Sequence, residues 1–171
     1  MEIRLAAMSD LPKIEEIYAK AREFMRECGN GSQWGSSYPE RELLVSDIEG
    51  ANLYTVSENG EILGVFFFKI GEDPTYLKIK DGAWKNNLGY GVIHRIAVAE
   101  NAHGKGVSRL CFDYAFERCG NLKIDTHRDN VPMKRALVKH GFEYCGVINL
   151  VNGDERIAFQ KTKEAQKVNF D

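Results

Sequence analysis

The chain has 171 residues, of which 43% are hydrophobic and 28% charged, with a formal net charge of −2 and a sequence pI of about 6.1. This balance lacks the basic field of a nucleic-acid-binding protein, and no apolar run approaches the roughly 20 residues that cross a bilayer. The first residues also lack the basic and apolar regions of a signal peptide. We therefore expect a cytoplasmic protein without a nucleic-acid or membrane partner.

The N-terminal part is predicted to contain a strand and two helices. Residues 3–6 have the pattern of a short strand, and Ser9 is a candidate N-cap for a helix that ends near Cys28. Turn-forming residues then predict a loop from Asn30 to Pro39. The second helix is predicted to start at Pro39 and to end near Glu49.

Two strands and a polar insertion follow. The strands, at 53–56 and 62–68, flank Asn59-Gly60, which is a strong hairpin signal. The insertion covers residues 71–87. The remaining predicted elements alternate along the chain: a strand at 90–98, a helix after Gly104, a strand at 122–125, a helix from Asn130 to Gly141, and closing strands at 142–148 and 156–160 around Asn152-Gly153.

This order contains no internal repeat, low-complexity tract or linker. It predicts one α/β (α+β) domain with a mixed sheet over residues 1–171, ending in a polar tail at about 162–171.

The four cysteines are spread along the chain as Cys28, Cys111, Cys119 and Cys145, with no CxxC pair. Cys111 and Cys119 are predicted to lie two turns apart on one helix, which is too far for a disulfide. All four are expected to be reduced, as is usual in the cytosol. The histidines do not cluster with them, so no metal site is expected.

The most informative segment runs from Val92 to Leu110. A β-branched strand leads into a short polar turn, and the loop His103-Gly104-Lys105-Gly106-Val107-Ser108 then opens an amphipathic helix. Such a loop directs free backbone N–H groups, and the positive end of the helix dipole, at one point in space. This is the arrangement that binds phosphate.

These residues resemble the GCN5-related N-acetyltransferases (GNAT), whose phosphate loop reads Gln/Arg-x-x-Gly-x-Gly/Ala. Gly106 matches that pattern, whereas His103 replaces the usual Gln or Arg and Ser108 replaces the last small residue. The segment from Asn130 to Gly141-Phe142, the opening residues 4–14 and the order of elements resemble the family too. The resemblance implies a mixed, mostly antiparallel sheet of about six to seven strands flanked by about four helices.

The resemblance further implies a transferase that moves an acetyl group from acetyl-CoA to a primary amine. Amides of the glycine loop would hold the coenzyme pyrophosphate, with added charge from Lys105, while the strand end would pair with the pantetheine arm. Asn130 either reaches that arm or caps the next helix. The implied coenzyme-binding residues are Ile96, Ala97, Val98, His103, Gly104, Lys105, Gly106, Val107, Ser108 and Asn130.

His94 is the candidate catalytic base. It corresponds to the strand histidine of family members similar to serotonin N-acetyltransferase, and histidine changes charge near neutral pH. The alternative is an inert histidine packed on the sheet. The general acid stays unassigned: Leu137 stands where many members have a tyrosine, and no spacing argument favours Tyr144, Cys145 or His140.

The acceptor is expected to be a small-molecule or peptide amine. In the family it is lined by the loops that here contain Trp34 and Trp84, which would form an apolar wall or stack on a cation; the alternative is that each tryptophan closes the edge of the core. Acidic residues of the insertion, such as Asp73, Glu72 and Asp81, could attract an ammonium.

Two other functions stay open. One is a non-catalytic acyl-CoA-binding or sensor module, and the other is an N-acyltransferase that uses a longer acyl-CoA. A P-loop hydrolase is disfavoured because Gly106, rather than Ser or Thr, follows Lys105. The exposed closing strands are compatible with a homodimer.

Overall fold

The computed structural model describes residues 1–163, so most of the predicted polar tail lies outside the described residues. The four helices of this part are α1 (Leu11–Glu27), α2 (Arg41–Glu49), α3 (Val107–Cys119) and α4 (Val131–Lys139). Its seven strands are β1 (Glu2–Leu5), β2 (Leu53–Glu58), β3 (Glu61–Ile70), β4 (Gly91–Val98), β5 (Asn121–Thr126), β6 (Glu143–Asn149) and β7 (Glu155–Thr162).

The strands form one sheet in the order β1-β2-β3-β4-β5-β7-β6. Within residues 1–163, the β4–β5 pair is parallel and every other pair is antiparallel. The predicted mixed, mostly antiparallel sheet with four flanking helices is therefore confirmed. None of the four helices combines the length and apolar character that a membrane crossing requires.

Local sequence signals explain most of the element boundaries. Asn59 and Gly60 both have positive φ, at 52° and 81°, as a two-residue hairpin turn between β2 and β3 requires. At the start of α1 the prediction of a Ser9 cap is wrong. Residues 8–10 form a short 3-10 turn before the helix, so that Asp10 occupies the N-cap position. The Asp10 carboxylate accepts a hydrogen bond from the Ala7 N–H at 2.8 Å and also binds the Arg4 guanidinium.

The sheet has a core on each face. Helices α1 and α3 bury their apolar stripes on one face, together with the fully buried Leu137 of α4. On the other face, a smaller cluster joins Tyr76, Val92, Ile148 and Ala158. The insertion over residues 71–87 covers this second face, because its 3-10 turn carries Tyr76 and its Lys80 pairs with Val147 of β6.

Strands β4 and β5 diverge soon after they meet. Their pairing is confined to Gly91 with Leu122 and Val92 with Lys123, after which β5 continues along β7. The remainder of β4 stays with β3 and opens a gap on its other side. This gap is the opening in which the candidate site lies.

The start of α3 packs directly on β3 at Gly64. A Cβ atom at Gly64 would lie 2.5 Å from Val107 Cγ1 and 3.2 Å from the Ala97 carbonyl oxygen. Val107 is buried, so it has little freedom to move away. Gly64 therefore sets how closely the N-terminus of α3 approaches the sheet.

We expect Gly64→Ala to lower the free energy of unfolding by about 1–3 kcal/mol, because the added methyl group overpacks this contact. Urea unfolding followed by circular dichroism measures the effect. Gly89→Ala is the matched control: its Cβ would meet no atom within 4 Å, so we expect a change within about 0.5 kcal/mol. A Gly64→Ala protein as stable as the wild type would contradict the packing argument.

Candidate active site

Two clefts meet at the gap between β4 and β5. The α3 cleft, of about 410 Å³, lies among α1, the end of β4, the loop before α3, and α4. The His94 cleft, of about 540 Å³, lies on the face covered by the insertion and the β6–β7 turn. Five residues line both clefts: Met25, Trp34, Ile96, Asn130 and Met133. Molecules bound in the two clefts would therefore meet at the gap.

The glycine loop presents unpaired N–H groups to the α3 cleft. Within residues 1–163, the N–H groups of Gly104, Gly106, Val107 and Ser108 have no protein acceptor. Gly104 and Gly106 have φ angles of 77° and 84°, and a Cβ at either would meet no protein atom within 4 Å. The glycines are thus needed for left-handed backbone, which turns these N–H groups toward one point at the start of α3.

Two residues of the loop contribute differently from the expectation. The His103 and Lys105 N–H groups donate to the Glu100 and Ala102 carbonyls, so they are not available to a ligand. The Lys105 side chain is exposed and does not line the α3 cleft, whereas the His103 ring does, packing on Phe24 at 4.8 Å between ring centroids.

Sequence reasoning missed the cations that do line the α3 cleft. Arg109 follows the loop in the first turn of α3, and Lys139 ends α4 across the cleft. Both line the same cleft as the unpaired N–H groups, and Arg109 Nε also donates to Asp113 at 3.3 Å. Arg109 could have been predicted from the sequence, because it lies three residues after Gly106 and therefore in the first turn of α3. The position of Lys139 depends on how α4 packs.

The end of β4 forms one wall of the gap. Ala97 pairs with Val65 of β3, and its carbonyl oxygen faces Gly64. The backbone of the next residue, Val98, therefore points away from β3, and its carbonyl oxygen lies 3.3 Å from His103 Nε2. Ile96 contributes its side chain to both clefts.

Gln33 joins two buried amides at the boundary of the clefts. Its Oε1 accepts hydrogen bonds from Asn30 Nδ2 at 2.7 Å and Asn130 Nδ2 at 2.9 Å. Asn130 Oδ1 accepts from the Met133 N–H at 3.1 Å, so Asn130 caps α4, and its contact with a coenzyme stays a prediction. Asn30, which sequence reasoning did not single out, has a buried Oδ1 beside the α3 cleft that has no hydrogen-bond partner among the described residues.

His94 lies between two carboxylates in the other cleft. Its Nε2 is 2.8 Å from Asp73 Oδ2, and its Nδ1 is 3.7 Å from Asp125 Oδ1. The Tyr76 hydroxyl donates to the same Asp125 oxygen at 2.6 Å. Asp73 was one of three acidic candidates in the insertion, whereas Asp125 was missed because it is close to His94 only across the sheet.

The surroundings of Asp73 hold it in its charged form. Burial by itself raises the pKa of this carboxyl, but hydrogen bonds from His94 and from the N–H and hydroxyl of Thr75 outweigh burial and lower the pKa to about 2. A neutral His94 that donates from Nε2 to this carboxylate has Nδ1 as its proton acceptor. The arrangement therefore orients the imidazole, with Nδ1 on the side of Asp125.

Arg95 stabilises an unusual backbone beside His94. It has a φ of 53° within a bulge, because His94 pairs with Phe67 and Ala97 with Val65. The Tyr18 hydroxyl donates to the Arg95 carbonyl at 2.8 Å, and the buried guanidinium binds Asp47 at 2.5 Å.

The two tryptophans have different positions. Trp34 is buried, lines both clefts and packs edge-to-face on Tyr18 at 5.6 Å, so it closes the core and also forms a cleft wall. Trp84 lines neither cleft: its indole N–H donates to the Tyr76 carbonyl at 2.8 Å, and its ring lies over the Lys123 ammonium. Trp84 thus packs on the edge of the core, outside both clefts, and its contact with the acceptor stays a prediction.

The structure also limits the choice of general acid. Leu137 is fully buried in the core, and Tyr144 and Cys145 lie outside both clefts, whereas His140 lines the α3 cleft. Within residues 1–163, no three His, Cys, Asp or Glu side chains are arranged as metal ligands.

The Asp73 carboxylate makes stability depend on pH. Its folded-state pKa lies below its ordinary value of 3.8, so its contribution to stability is present above about pH 4 and is lost as the pH falls toward about 2. We expect Asp73→Asn to lower the free energy of unfolding by about 1–2 kcal/mol at neutral pH, and this difference from the wild type to shrink in acid.

Urea unfolding of both proteins between about pH 7 and pH 3 measures this difference. Asp81→Asn, which alters an exposed carboxylate of the same insertion, is the matched control, and we expect it to change stability by less than about 0.5 kcal/mol at every pH. A wild-type advantage that stays constant down to the lowest pH would contradict the contribution of Asp73.

Comparison with known proteins gives a consistent result. The sequence family described as "Acetyltransferase (GNAT) family" matches residues 12–142, while no curated protein matches the chain. A GNAT-family acetyltransferase structure from Streptococcus agalactiae is 30% identical, with 96% of each chain covered and a TM-score of 0.87.

Two more distant structures share the fold. Ribosomal-protein-alanine N-acetyltransferase from Brucella melitensis is 20% identical with a TM-score of 0.67, covering 95% of this chain and 100% of its own. YncA from Salmonella typhimurium, determined with its cofactor acetyl-CoA, is 18% identical with a TM-score of 0.65, covering 96% of this chain and 95% of its own. The family match over most of the chain and the Streptococcus relative show that this chain belongs to the GNAT acetyltransferase family.

Proposed function

We propose that this protein transfers an acetyl group from acetyl-CoA to a primary amine, by direct attack of the amine on the thioester, with His94 as the base. The observation that carries the proposal is that the two clefts join at the gap between β4 and β5. Unpaired N–H groups lie in one cleft, and an oriented histidine lies in the other.

The α3 cleft fits the chemistry of coenzyme A. The N–H groups of the glycine loop, the helix dipole of α3 and the charges of Arg109 and Lys139 would hold the pyrophosphate. The buried Asn30 Oδ1, which has no partner within residues 1–163, would accept a hydrogen bond from an amide of the pantetheine arm. When bound, acetyl-CoA supplies the thioester carbonyl that the amine attacks.

The His94 cleft fits a primary amine. The carboxylates of Asp73 and Asp125 favour an ammonium, which is the form in which most amines arrive at neutral pH. His94 Nδ1, with Nε2 held by Asp73, accepts the proton directly or through a water molecule, and the neutral amine is then the nucleophile. Trp34 at the boundary of the clefts restricts water around the reacting groups.

Coenzyme binding can be tested at Ser108, the second residue of α3. We expect Ser108→Glu to weaken acetyl-CoA binding by at least about tenfold, because a carboxylate then faces the pyrophosphate, while negative charge at a helix N-terminus does not destabilise the fold. Isothermal titration with acetyl-CoA, and with ATP for comparison, measures the affinity.

Ser108→Ala is the matched control, since it keeps the backbone N–H group, and we expect its affinity within about threefold of the wild type. If Ser108→Glu bound acetyl-CoA as tightly as the wild type, or if ATP bound equally well, the assignment of the α3 cleft to coenzyme A would be wrong.

Catalysis can be tested at His94. We expect His94→Gln to lower kcat about 10²- to 10⁴-fold with the best acceptor of an amine panel, and to leave the Kd for acetyl-CoA within about threefold, because the base is lost and the α3 cleft is intact. His127→Gln is the control, since His127 lines neither cleft. Release of the coenzyme thiol, followed with a chromogenic disulfide, measures the rate.

The same assay separates the competing functions. Acetyl-CoA binding without transfer to any amine would favour a non-catalytic module, and faster transfer from longer acyl-CoA donors would favour an N-acyltransferase of broader range. A His94→Gln enzyme as active as the wild type would remove His94 from the mechanism.

A further inference from the structure

We propose that the acceptor carries a carboxylate in addition to its primary amine, and that Arg156 binds this carboxylate. The acceptor would then be a free amino acid rather than a simple amine. This inference rests on the proposed function, since it assigns the substrate class of the His94 cleft.

Arg156 is a buried cation without an acidic partner in the part of the chain that the structure describes. It is only 6% exposed and lines the His94 cleft. Within residues 1–163 no Asp or Glu carboxylate oxygen lies within 4 Å of its guanidinium. Its hydrogen bonds go to two backbone carbonyls, that of Glu155 at 3.0 Å and that of Gln33 at 3.5 Å. A buried charge without a counter-charge has an unfavourable desolvation free energy, and a bound anion would offset it.

The other cation of the cleft is already neutralised. Arg95 forms a buried ion pair with Asp47 at 2.5 Å. Among the described residues, the cleft therefore offers one guanidinium without a carboxylate partner, that of Arg156. A guanidinium has five N–H donors in a planar fork that matches a carboxylate, and two carbonyl contacts leave most of them for a ligand.

The strand register places Arg156 on the same face of the sheet as the proposed base. Ala158 of β7 pairs with Asp125 of β5, and Arg156 lies two residues before Ala158, so all three share one face. Asp125 in turn contacts His94. The acidic end of the cleft, at His94, and the cationic end, at Arg156, thus face the same open volume.

The charges of the cleft favour a carboxylate over a phosphate. Three carboxylates line it, those of Asp73, Asp125 and Asp154, and Asp154 is held by Asn152 rather than by Arg156. A phosphate dianion would face all three. An amino acid instead places its ammonium at the acidic end and a single negative charge at Arg156, so both charges are matched.

The alternative is a purely structural role, in which Arg156 holds the loop at residues 30–39 in place by donating to the Gln33 carbonyl. That contact is long, at 3.5 Å, and a neutral donor would serve it equally well. The test must therefore show a preference for the acceptor's carboxylate, which a purely structural role would not create.

The experiment compares L-amino acids with their α-carboxamides as acceptors, which differ in the negative charge. We expect Arg156→Gln to lower the acid-to-amide ratio of kcat/KM about tenfold to a hundredfold, because a charged hydrogen bond to the carboxylate is lost. Arg156→Lys should retain part of the preference. Arg128→Gln is the matched control: Arg128 is exposed, lies outside both clefts and should leave the ratio unchanged.

Binding separates this inference from the proposed function. Amino acids and amides are also titrated into the wild type and Arg156→Gln proteins saturated with coenzyme A. Arg156-dependent binding of the acid without transfer would support the carboxylate site and contradict the transferase. A wild type that neither uses nor binds acids in preference to amides, or a ratio that Arg156→Gln leaves unchanged, overturns the inference.

Discussion

Strand β4 cannot pair along its whole length with both neighbours, and the rest of the site depends on this constraint. After two residue pairs β5 turns away toward β7, while a bulge at Arg95 changes the direction of β4. The bulge is stabilised by Tyr18, whose hydroxyl satisfies the Arg95 carbonyl, and by the buried pair of Arg95 with Asp47. The gap that results provides an open strand edge at Val98 and places His94 beside it.

Polar side chains hold the two sides of this gap together. Gln33, from the loop between α1 and α2, binds Asn130 at the start of α4 and accepts from Arg156 of β7 through its backbone carbonyl. The loop is therefore attached to both elements that border the far side of the gap. Buried polar contacts of this kind are sensitive to small displacements, so a ligand that binds Arg156 would also affect the loop that carries Trp34.

Sequence reasoning succeeded where one short segment contains all the information. The hairpin at Asn59-Gly60 depends on two positive φ angles, and the glycine loop before α3 depends on Gly104 and Gly106. The order of elements was predicted from such local patterns, and the resemblance to the GNAT family added the mixed, mostly antiparallel sheet, which the sheet topology confirms. Sequence reasoning failed at Ser9, which was predicted to cap α1. The residue at the N-cap position is Asp10, whose carboxylate accepts a hydrogen bond from the Ala7 N–H group.

The sequence by itself determined the local elements and the phosphate-type loop, because turns, caps and helix starts depend on neighbouring residues and their backbone angles. Only the tertiary structure decided that Asp73 and Asp125, 52 residues apart in the chain, both contact His94. It also decided that Trp34 faces the clefts while Trp84 covers the sheet. These outcomes depend on strand register and on the path of the insertion, which are set by packing between distant segments and leave no pattern in any one of them.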